Sequence, residues 1–460
     1  MFYGGVFIFL VCLSDTRKSV QMNKNIIISV VVIVGVFLAF TAYVAWENEK
    51  DSTPKEMATE FIGMMDDGDF SKCVDIMNDE MKSVMSAQTL SDIWVALESV
   101  LGDLKKIEDV VVSKNTDITG TKSLCVFEYG GLSIEISFDS DGKVIGLFFG
   151  NYSPRDSDPL PGSLEETDIT LNVGTQLELK GKITSHANSD NKVAVVIVHG
   201  SGASDMDLST GMNKMYRDLA WGIAENGIDV LRYDKRTFTH ILSVIDPTFT
   251  VKEETVDDAI AAAKLLKSEG YEKVFLVGHS LGGMLAPRIV SESNGAFDGF
   301  VSMAGSPRTL VEVMIDQNMS VVTSIADLEL INAEKAKYTD MRNWDNMKLM
   351  TTSIFGTTAY YIKEMESKSA GNIARSLNVP MLFIQGSKDF QVFADKDFEA
   401  WKNVMSGRSN AEFILYPGLN HMFAESKGYG LLEFYKEYYP RNDTSVDVIE
   451  DISEFIKKNT

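Results

Sequence analysis

The chain is poor in cysteine, histidine and positive charge. Its 460 residues include three cysteines, Cys12, Cys73 and Cys125, with no C-x-x-C pair and no Cys/His cluster. This argues against a zinc site, and no metal or other cofactor is implied. Cys73 and Cys125 could pair if their domain faces an oxidising space, but each sits among apolar residues at regular spacing, and buried free thiols are the preferred expectation. Lysine and arginine number 43 against 66 Asp and Glu, a net charge of −23 with no basic stripe to offset it. That argues against a nucleic-acid partner. Acidity confers solubility and says little about substrate.

What is present divides along the chain. At this length two or three segments are expected rather than one ordinary domain. Ile26 to Trp46 is almost wholly apolar and carries no charge. About 21 residues at a rise of about 1.5 Å span roughly 30 Å, the thickness of a bilayer core. Arg17, Lys18 and Lys24 precede the run, and Glu47, Glu49 and Asp51 follow it. This asymmetry predicts a single-pass anchor over 26–46, a cytoplasmic leader over 1–25 and everything later outside the cell membrane. A cleaved signal peptide, giving a secreted protein, is the rival. The run is long for such a peptide and no good A-x-A site follows it. A short apolar run, Val6 to Leu13, makes the first residues an odd leader, and Met22 would be a more ordinary start.

Residues 53–150 are expected to form a small α+β domain. "PKEMATEFIGMMDDGDFSKCVDIMNDEMKSVM" has helical periodicity broken at Asp66-Asp67-Gly68-Asp69, and Leu90 to Leu101 continues it. Val110 to Val112, Leu124 to Tyr129, Leu132 to Phe138 and Val144 to Phe149 read as strands, with "DSDG" a hairpin turn between the last two. This domain shows no acid-base or nucleophile constellation; it reads as a folding or spacing module, with a small-ligand pocket as the alternative. "NYSPRDSDPLPGSLEE" reads as a linker over 151–166.

From 167 to 460 strands alternate with helices. Leu177–Thr184, Val193–Val198, Asp229–Tyr233, Val274–Val277, Phe300–Met303, Met381–Gln385 and Phe413–Tyr416 read as strands, with helical stretches between most of them. The order specifies an α/β fold: a mainly parallel sheet covered on both faces. Sites in such sheets lie beyond the carboxyl ends of the strands.

One of those ends is "VFLVGHSLGG", residues 274–283. Gly278 and Gly282 flank Ser280 as in the G-x-S-x-G turn that lifts a serine nucleophile above a sheet. Such a serine needs a base, and the base an orienting acid, in the chain order Ser, Asp or Glu, His. Of five histidines, His186, His199, His240 and His279 precede Ser280; only His421, in "YPGLNHMF", follows it. Asp389, in "MLFIQGSKDF", lies on a turn just past a strand. Asp395 and Asp397 are its rivals, but read as the start of the next helix, where a carboxylate suits the dipole. For an oxyanion, the Leu281 amide follows the nucleophile, and "VVIVHGSGASD" offers the Ser201 amide on a glycine-rich loop. That loop lacks the spacing of a phosphate-binding loop.

With "HGSGASDMDLSTGMNKMYRDLAWGIAENGIDVLRYDKRT", "GHSLGG", "GSKDFQV" and "YPGLNHMF", residues 168–460 resemble serine hydrolases of the α/β-hydrolase superfamily. They also resemble a narrower bacterial and archaeal group that joins such a hydrolase to an N-terminal DUF3887 domain, thought to be NTF2-like. Residues 53–150 resemble that domain more loosely. The resemblance implies carboxylic-ester hydrolysis by default, with peptide cleavage, as by a serine aminopeptidase, the lesser option. The expected partner is a small ester or short peptide. An acyltransferase on the same residues, or a catalytically idle binding protein, are the alternatives.

Between Met303 and Met381 lies an insertion without strand signal, expected as a helical cap over about 309–378. Most of Met314, Met319, Met347, Met350, Phe355, Tyr360 and Tyr361 are expected in the core of the cap, with a few lining an acyl pocket; simple scaffolding is the alternative. "YDKR" at 233–236 reads as a structural charge cluster rather than part of a pocket rim.

Overall fold

The structure, a computed structural model, describes residues 52–115, 118–172, 174–187 and 192–460. The run expected to anchor the chain, Ile26–Trp46, lies outside them, as does Cys12. Among the described residues no helix is long and apolar enough to cross a membrane. These residues form two compact units, 52–158 with 439–441, and 159–438 with 442–460.

The first unit opens with helices α1 (Ser52–Asp66), α2 (Phe70–Asp75), α3 (Asp79–Val84) and α4 (Ala87–Leu101). Gly68, at φ 78°, ends the first helical stretch at the expected Asp-Gly break. Strands β1 (Leu104–Asn115), β2 (Ile118–Phe127), β3 (Gly131–Phe138) and β4 (Val144–Tyr152) follow as an antiparallel meander. The "DSDG" turn closes on Asp139, whose Oδ1 accepts from the Asp141 and Lys143 amides. Alternate residues of the sheet, including Cys125, Ile134, Ile136 and Phe138, bury against Phe61, Ile62, Met65, Leu90 and Trp94 of the helices. Cys73 and Cys125 are buried and unpaired, as their apolar settings suggested.

The second unit is built on an eight-stranded sheet. Its strands are β5 (Leu164–Leu171), β6 (Leu179–His186), β7 (Val193–Val198), β8 (Asp229–Tyr233), β9 (Lys273–His279), β10 (Gly299–Met303), β11 (Met381–Gly386) and β12 (Ala411–Tyr416). Their spatial order is β12-β11-β10-β9-β7-β8-β6-β5. From β12 to β8 every neighbour is parallel; β6 and β5 complete the edge antiparallel. The central strands are continuous apolar runs because both faces are covered. In β7, Ala194, Val196 and Val198 enter one core, with α6 (Asp257–Ser268) and α7 (Leu281–Glu292). Val195 and Ile197 enter the other, with α5 (Met215–Glu225) and α13 (Val446–Lys458). Chain order reverses at β7: the next strand lies on one side of it and β9 on the other. That reversal opens a crevice beyond the strands' carboxyl ends.

Two expectations change. The stretch without strand runs only from 153 to 163, because β4 continues to Tyr152 and β5 begins at Leu164. Of "LEETDITL" only Leu164 and Leu171 are buried, so this edge strand carries little apolar signal. The insertion after β10 is helical, as α8 (Leu310–Ser320), α9 (Ile325–Asp340), α10 (Asn346–Thr351), α11 (Ala359–Glu366) and α12 (Ala370–Ser376). It also holds one short ladder, pairing Ser353–Ile354 with Thr357–Thr358.

Candidate active site

At the end of β9 the backbone turns through Ser280 at φ 55° and ψ −115°, a conformation that costs a non-glycine residue about 1–3 kcal/mol. The Ser280 amide donates to the Met303 carbonyl at 2.8 Å, and α7 starts at the next residue. The glycines are required by contact. A Cβ on Gly278 would lie 2.4 Å from the Gly282 carbonyl oxygen, and one on Gly282 would lie 2.5 Å from that of Val198.

Beyond β11, Asp389 sits on a tight turn. Its Oδ1 accepts the Gln391 and Val392 amides at 2.8 and 2.9 Å. Its Oδ2 accepts from Gln385 Nε2 and from His421 Nδ1, both at 2.7 Å. This turn is bonded to the loop after β12: the Ser387 amide donates to the Tyr416 carbonyl and the Lys388 amide to that of Leu419. That loop is held from within by Asn420, fully buried, whose Oδ1 accepts the Met422 and Ala424 amides. Asp389 and His421 are therefore fixed against each other by backbone on both sides.

Ser280 and His421 line one open cavity of about 380 Å³, counting its mouth, with Gly200, Ser201, Tyr216, His279, Gln391 and Tyr438 among the other walls. The loop after β7 passes close to the serine: a Cβ on Gly200 would lie 3.1 Å from that of Ser280. With Nδ1 against a carboxylate, His421 carries its proton there and leaves Nε2 as a base.

The loops are braced by residues whose sequence gave no sign of it. The Gly200 amide donates to the Tyr216 hydroxyl at 3.0 Å, and that hydroxyl lies 3.2 Å from His279 Nδ1. His279 Nε2 lies 3.0 Å from the His421 carbonyl, which only accepts. The order of donors is thus set: Gly200 N–H to Tyr216, Tyr216 O–H to His279 Nδ1, His279 Nε2–H to His421. Burial, then the charge His421 can carry, hold the His279 pKa well below the ordinary value, so this relay stays neutral. Burial, then the Lys235 ammonium, pull His199 down to about 3. No signal short of the fold marked Tyr216, a buried residue of α5.

The rivals of Asp389 lie elsewhere. Asp395 is exposed. Asp397 is fully buried and accepts from Ser306 Oγ, Arg308 Nε and Nη2, and the Phe393 amide. It stands in the first helical turn after β11, Ala394–Phe398, as its sequence position suggested, and is there the buried half of an ion pair with Arg308. The cap supplies none of the cavity's lining residues. Met314, Phe355 and Tyr361 are buried, whereas Met319 and Met347 face solvent. The reading of "YDKR" as structural fits its burial: Arg236 forks onto Asp258 at 2.6 and 2.9 Å. Among the described residues no Cys, His, Asp and Glu cluster is arranged to hold a metal ion.

A strained serine elbow between a parallel strand and a helix, with a histidine–aspartate pair at the same cavity, defines an α/β-hydrolase of the serine class. Residues 189–427 match the family described as serine aminopeptidase, S33, and the chain belongs to that family. Residues 58–147 match a family described only as a protein of unknown function, DUF3887. The chain is 32% identical over 439 residues to Esterase EstD of Thermotoga maritima, covering 93% of this chain and 99% of that one. Among solved structures, an esterase of Pyrococcus furiosus, Pf2001, aligns at 16% identity over 67% of this chain and 94% of its own, with a TM-score of 0.40. Est1E of Butyrivibrio proteoclasticus aligns at 12% identity over 64% of this chain and 98% of its own, also with a TM-score of 0.40.

Proposed function

We propose that Ser280, His421 and Asp389 are a catalytic triad that hydrolyses carboxylic esters through an acyl-enzyme. The observation that carries this reading is the 2.7 Å contact of Asp389 Oδ2 with His421 Nδ1 at the cavity that Ser280 lines. His421 Nε2 takes the Ser280 hydroxyl proton as Oγ attacks the carbonyl carbon. The carbonyl π electrons move onto oxygen, which the Ser201 and Leu281 amides hold. Collapse expels the alcohol, which receives the proton from His421. Water, deprotonated by the same nitrogen, then attacks the acyl-enzyme and releases the carboxylate and Ser280. Asp389 keeps the imidazole in the productive tautomer and stabilises its cation. The chemistry needs no cofactor.

A fluorophosphonate reacts only with an activated serine. Labelling of the protein and its loss in Ser280→Ala support the reading; an unlabelled, folded protein leaves a binding role for an idle hydrolase fold. Turnover of p-nitrophenyl esters of graded chain length, beside aminoacyl anilides, decides between the ester chemistry in the name of the Thermotoga relative and the aminopeptidase in the family's description.

We also propose that Ile26–Trp46 anchors the chain in the cell membrane with both folded units outside, supported by the length of that run and the basic residues before it. The helices packed on a four-stranded antiparallel sheet in residues 52–158 support an NTF2-like assignment for that unit. Cell fractionation and protease accessibility in intact cells test the anchor; recovery of the full chain in the soluble fraction counts against it.

A further inference from the structure

We infer that Lys235 is a positioning residue that sets the oxyanion-binding peptide, and that Tyr361 ties it to the cap. The inference rests on the proposed role of the Ser201 amide. Lys235 is 1% exposed, and its Nζ makes two contacts. It donates to the Gly200 carbonyl at 2.7 Å and to Glu254 Oε1 at 2.5 Å. The other carboxylate oxygen of Glu254 accepts the Tyr361 hydroxyl at 2.7 Å. A buried chain thus runs from a cap helix to the loop beside the nucleophile.

The consequence lies in the geometry of one peptide. In a trans peptide the C=O of one residue and the N–H of the next point in opposite directions. Holding the Gly200 carbonyl on Lys235 therefore fixes the Ser201 N–H on the opposite side of the same plane. The amide side of Gly200 is held independently, by the Tyr216 hydroxyl. Gly200 is clamped at both ends, so the peptide that follows it has little freedom to rotate. Without the ammonium, the glycine-flanked peptide is free to flip and present its carbonyl oxygen instead. An oxyanion site works because its donors are aimed before charge develops. A lysine suits this task better than a neutral donor: its charge is matched by Glu254 and is too deep to be screened by salt.

Tyr361 sits in α11, and the same helix is fastened to α7 by Arg288, which forks onto Glu364 at 2.5 and 3.1 Å. The cap therefore contributes nothing to the cavity wall, yet it reaches the oxyanion peptide through Glu254 and Lys235. A displacement of α11 changes the partner that keeps Lys235 in place.

The test uses the full chain. Lys235→Met alone leaves Glu254 buried without its cation and risks unfolding, so Lys235→Met with Glu254→Gln removes both charges together. Each protein is assayed for kcat and KM on a p-nitrophenyl ester and for inhibition by phenylboronic acid. The boronate forms a tetrahedral adduct on the serine that places an oxygen in the oxyanion site. The expected result is a fall in kcat of about 10²-fold, with KM within about threefold and the boronate Ki raised by a similar factor of about 10². A merely structural role lowers the active fraction but leaves Ki unchanged, and that result overturns the inference. Tyr361→Phe removes one oxygen and should move kcat and Ki together by a smaller factor; a change in kcat with constant Ki overturns the link to the cap. Fluorophosphonate labelling of the wild-type protein separates the two levels. If it is labelled while the double variant keeps wild-type boronate affinity, Lys235 loses its role and the triad stands. If it is not labelled, both readings fall.

Discussion

Replacing Asp389 by asparagine should disable the enzyme through a single proton. The carboxylate uses both oxygens: Oδ1 takes the Gln391 and Val392 amides, and Oδ2 takes Gln385 Nε2 and His421 Nδ1. Asparagine has one acceptor to offer. The two backbone amides cannot turn away, so its oxygen takes the Oδ1 place and its NH₂ faces Gln385 and His421. Gln385 cannot relieve the conflict by flipping, because its Nε2 also donates to the Val392 carbonyl at 3.1 Å. One buried donor is left facing another, which costs about 1–3 kcal/mol and should lower Tm by about 2–4 °C per kcal/mol. The larger effect is on His421. Nδ1 must now accept, so the proton moves to Nε2 and the base proposed for Ser280 is lost. The expected fall in kcat near neutral pH is on the order of 10⁴. The assay is turnover of one p-nitrophenyl ester at one pH, normalised to folded protein, for Asp389→Asn, Asp395→Asn and Asp397→Asn. Exposed Asp395 should be neutral, within about 0.5 kcal/mol in stability. Asp397→Asn breaks a buried pair with Arg308 and should cost about 3–5 kcal/mol, with kcat per folded molecule unchanged. If Asp389→Asn keeps a tenth of wild-type kcat, or if Asp397→Asn is the variant crippled per folded molecule, the acid has been misassigned.

Ser280→Ala should lose on the order of 10⁶ in kcat with an unaltered Tm; residual turnover of a tenth would sink the nucleophile. Gly282→Ala brings a Cβ to 2.5 Å from the Val198 carbonyl oxygen and should cost at least about 1–3 kcal/mol, read as a fall in urea midpoint. His279 and His199 are neutral when folded, with pKa values held below the ordinary one of about 6.5, so the unfolded chain takes up protons first as pH falls. Each should therefore destabilise the fold below about pH 6.5 by at most about 1.4 kcal/mol per pH unit, His199 continuing towards about pH 3. Urea midpoints of the wild type and His279→Gln between pH 6 and 4.5 check this, and equal pH dependence would rule it out. A chain beginning at Ser52 should hydrolyse esters without detergent, because both folded units lie after that residue; a need for detergent and for residues 26–46 would speak against an anchor separable from the chemistry.

From the sequence alone most strands of the large sheet could be read, and so could the candidates for the proposed chemistry. "VAVVIV", short, β-branched and continuously apolar, reads as a strand buried on both faces, and a glycine-flanked serine between such a strand and a helix reads as an elbow. The order of Ser280, Asp389 and His421 along the chain was likewise legible, because each stands just past a strand and strand ends are local features. The edge strand Leu164–Leu171 was not, since with one side open to water it needs almost no apolar residues. What lay beyond local pattern is the pairing of charges. Asp397 and Arg308 are far apart in sequence, and so are Lys235 and the Gly200 carbonyl, or Tyr361 and Glu254. Whether a carboxylate is a solvated helix cap or half of a buried ion pair depends on what the fold brings opposite it. The same holds for Tyr216, in α5. It is in the core, and its hydroxyl nonetheless joins the Gly200 loop to His279 and through it to the loop of His421. Side-chain type is written in one dimension, but desolvation and hydrogen-bond direction exist only once the strands have been laid side by side.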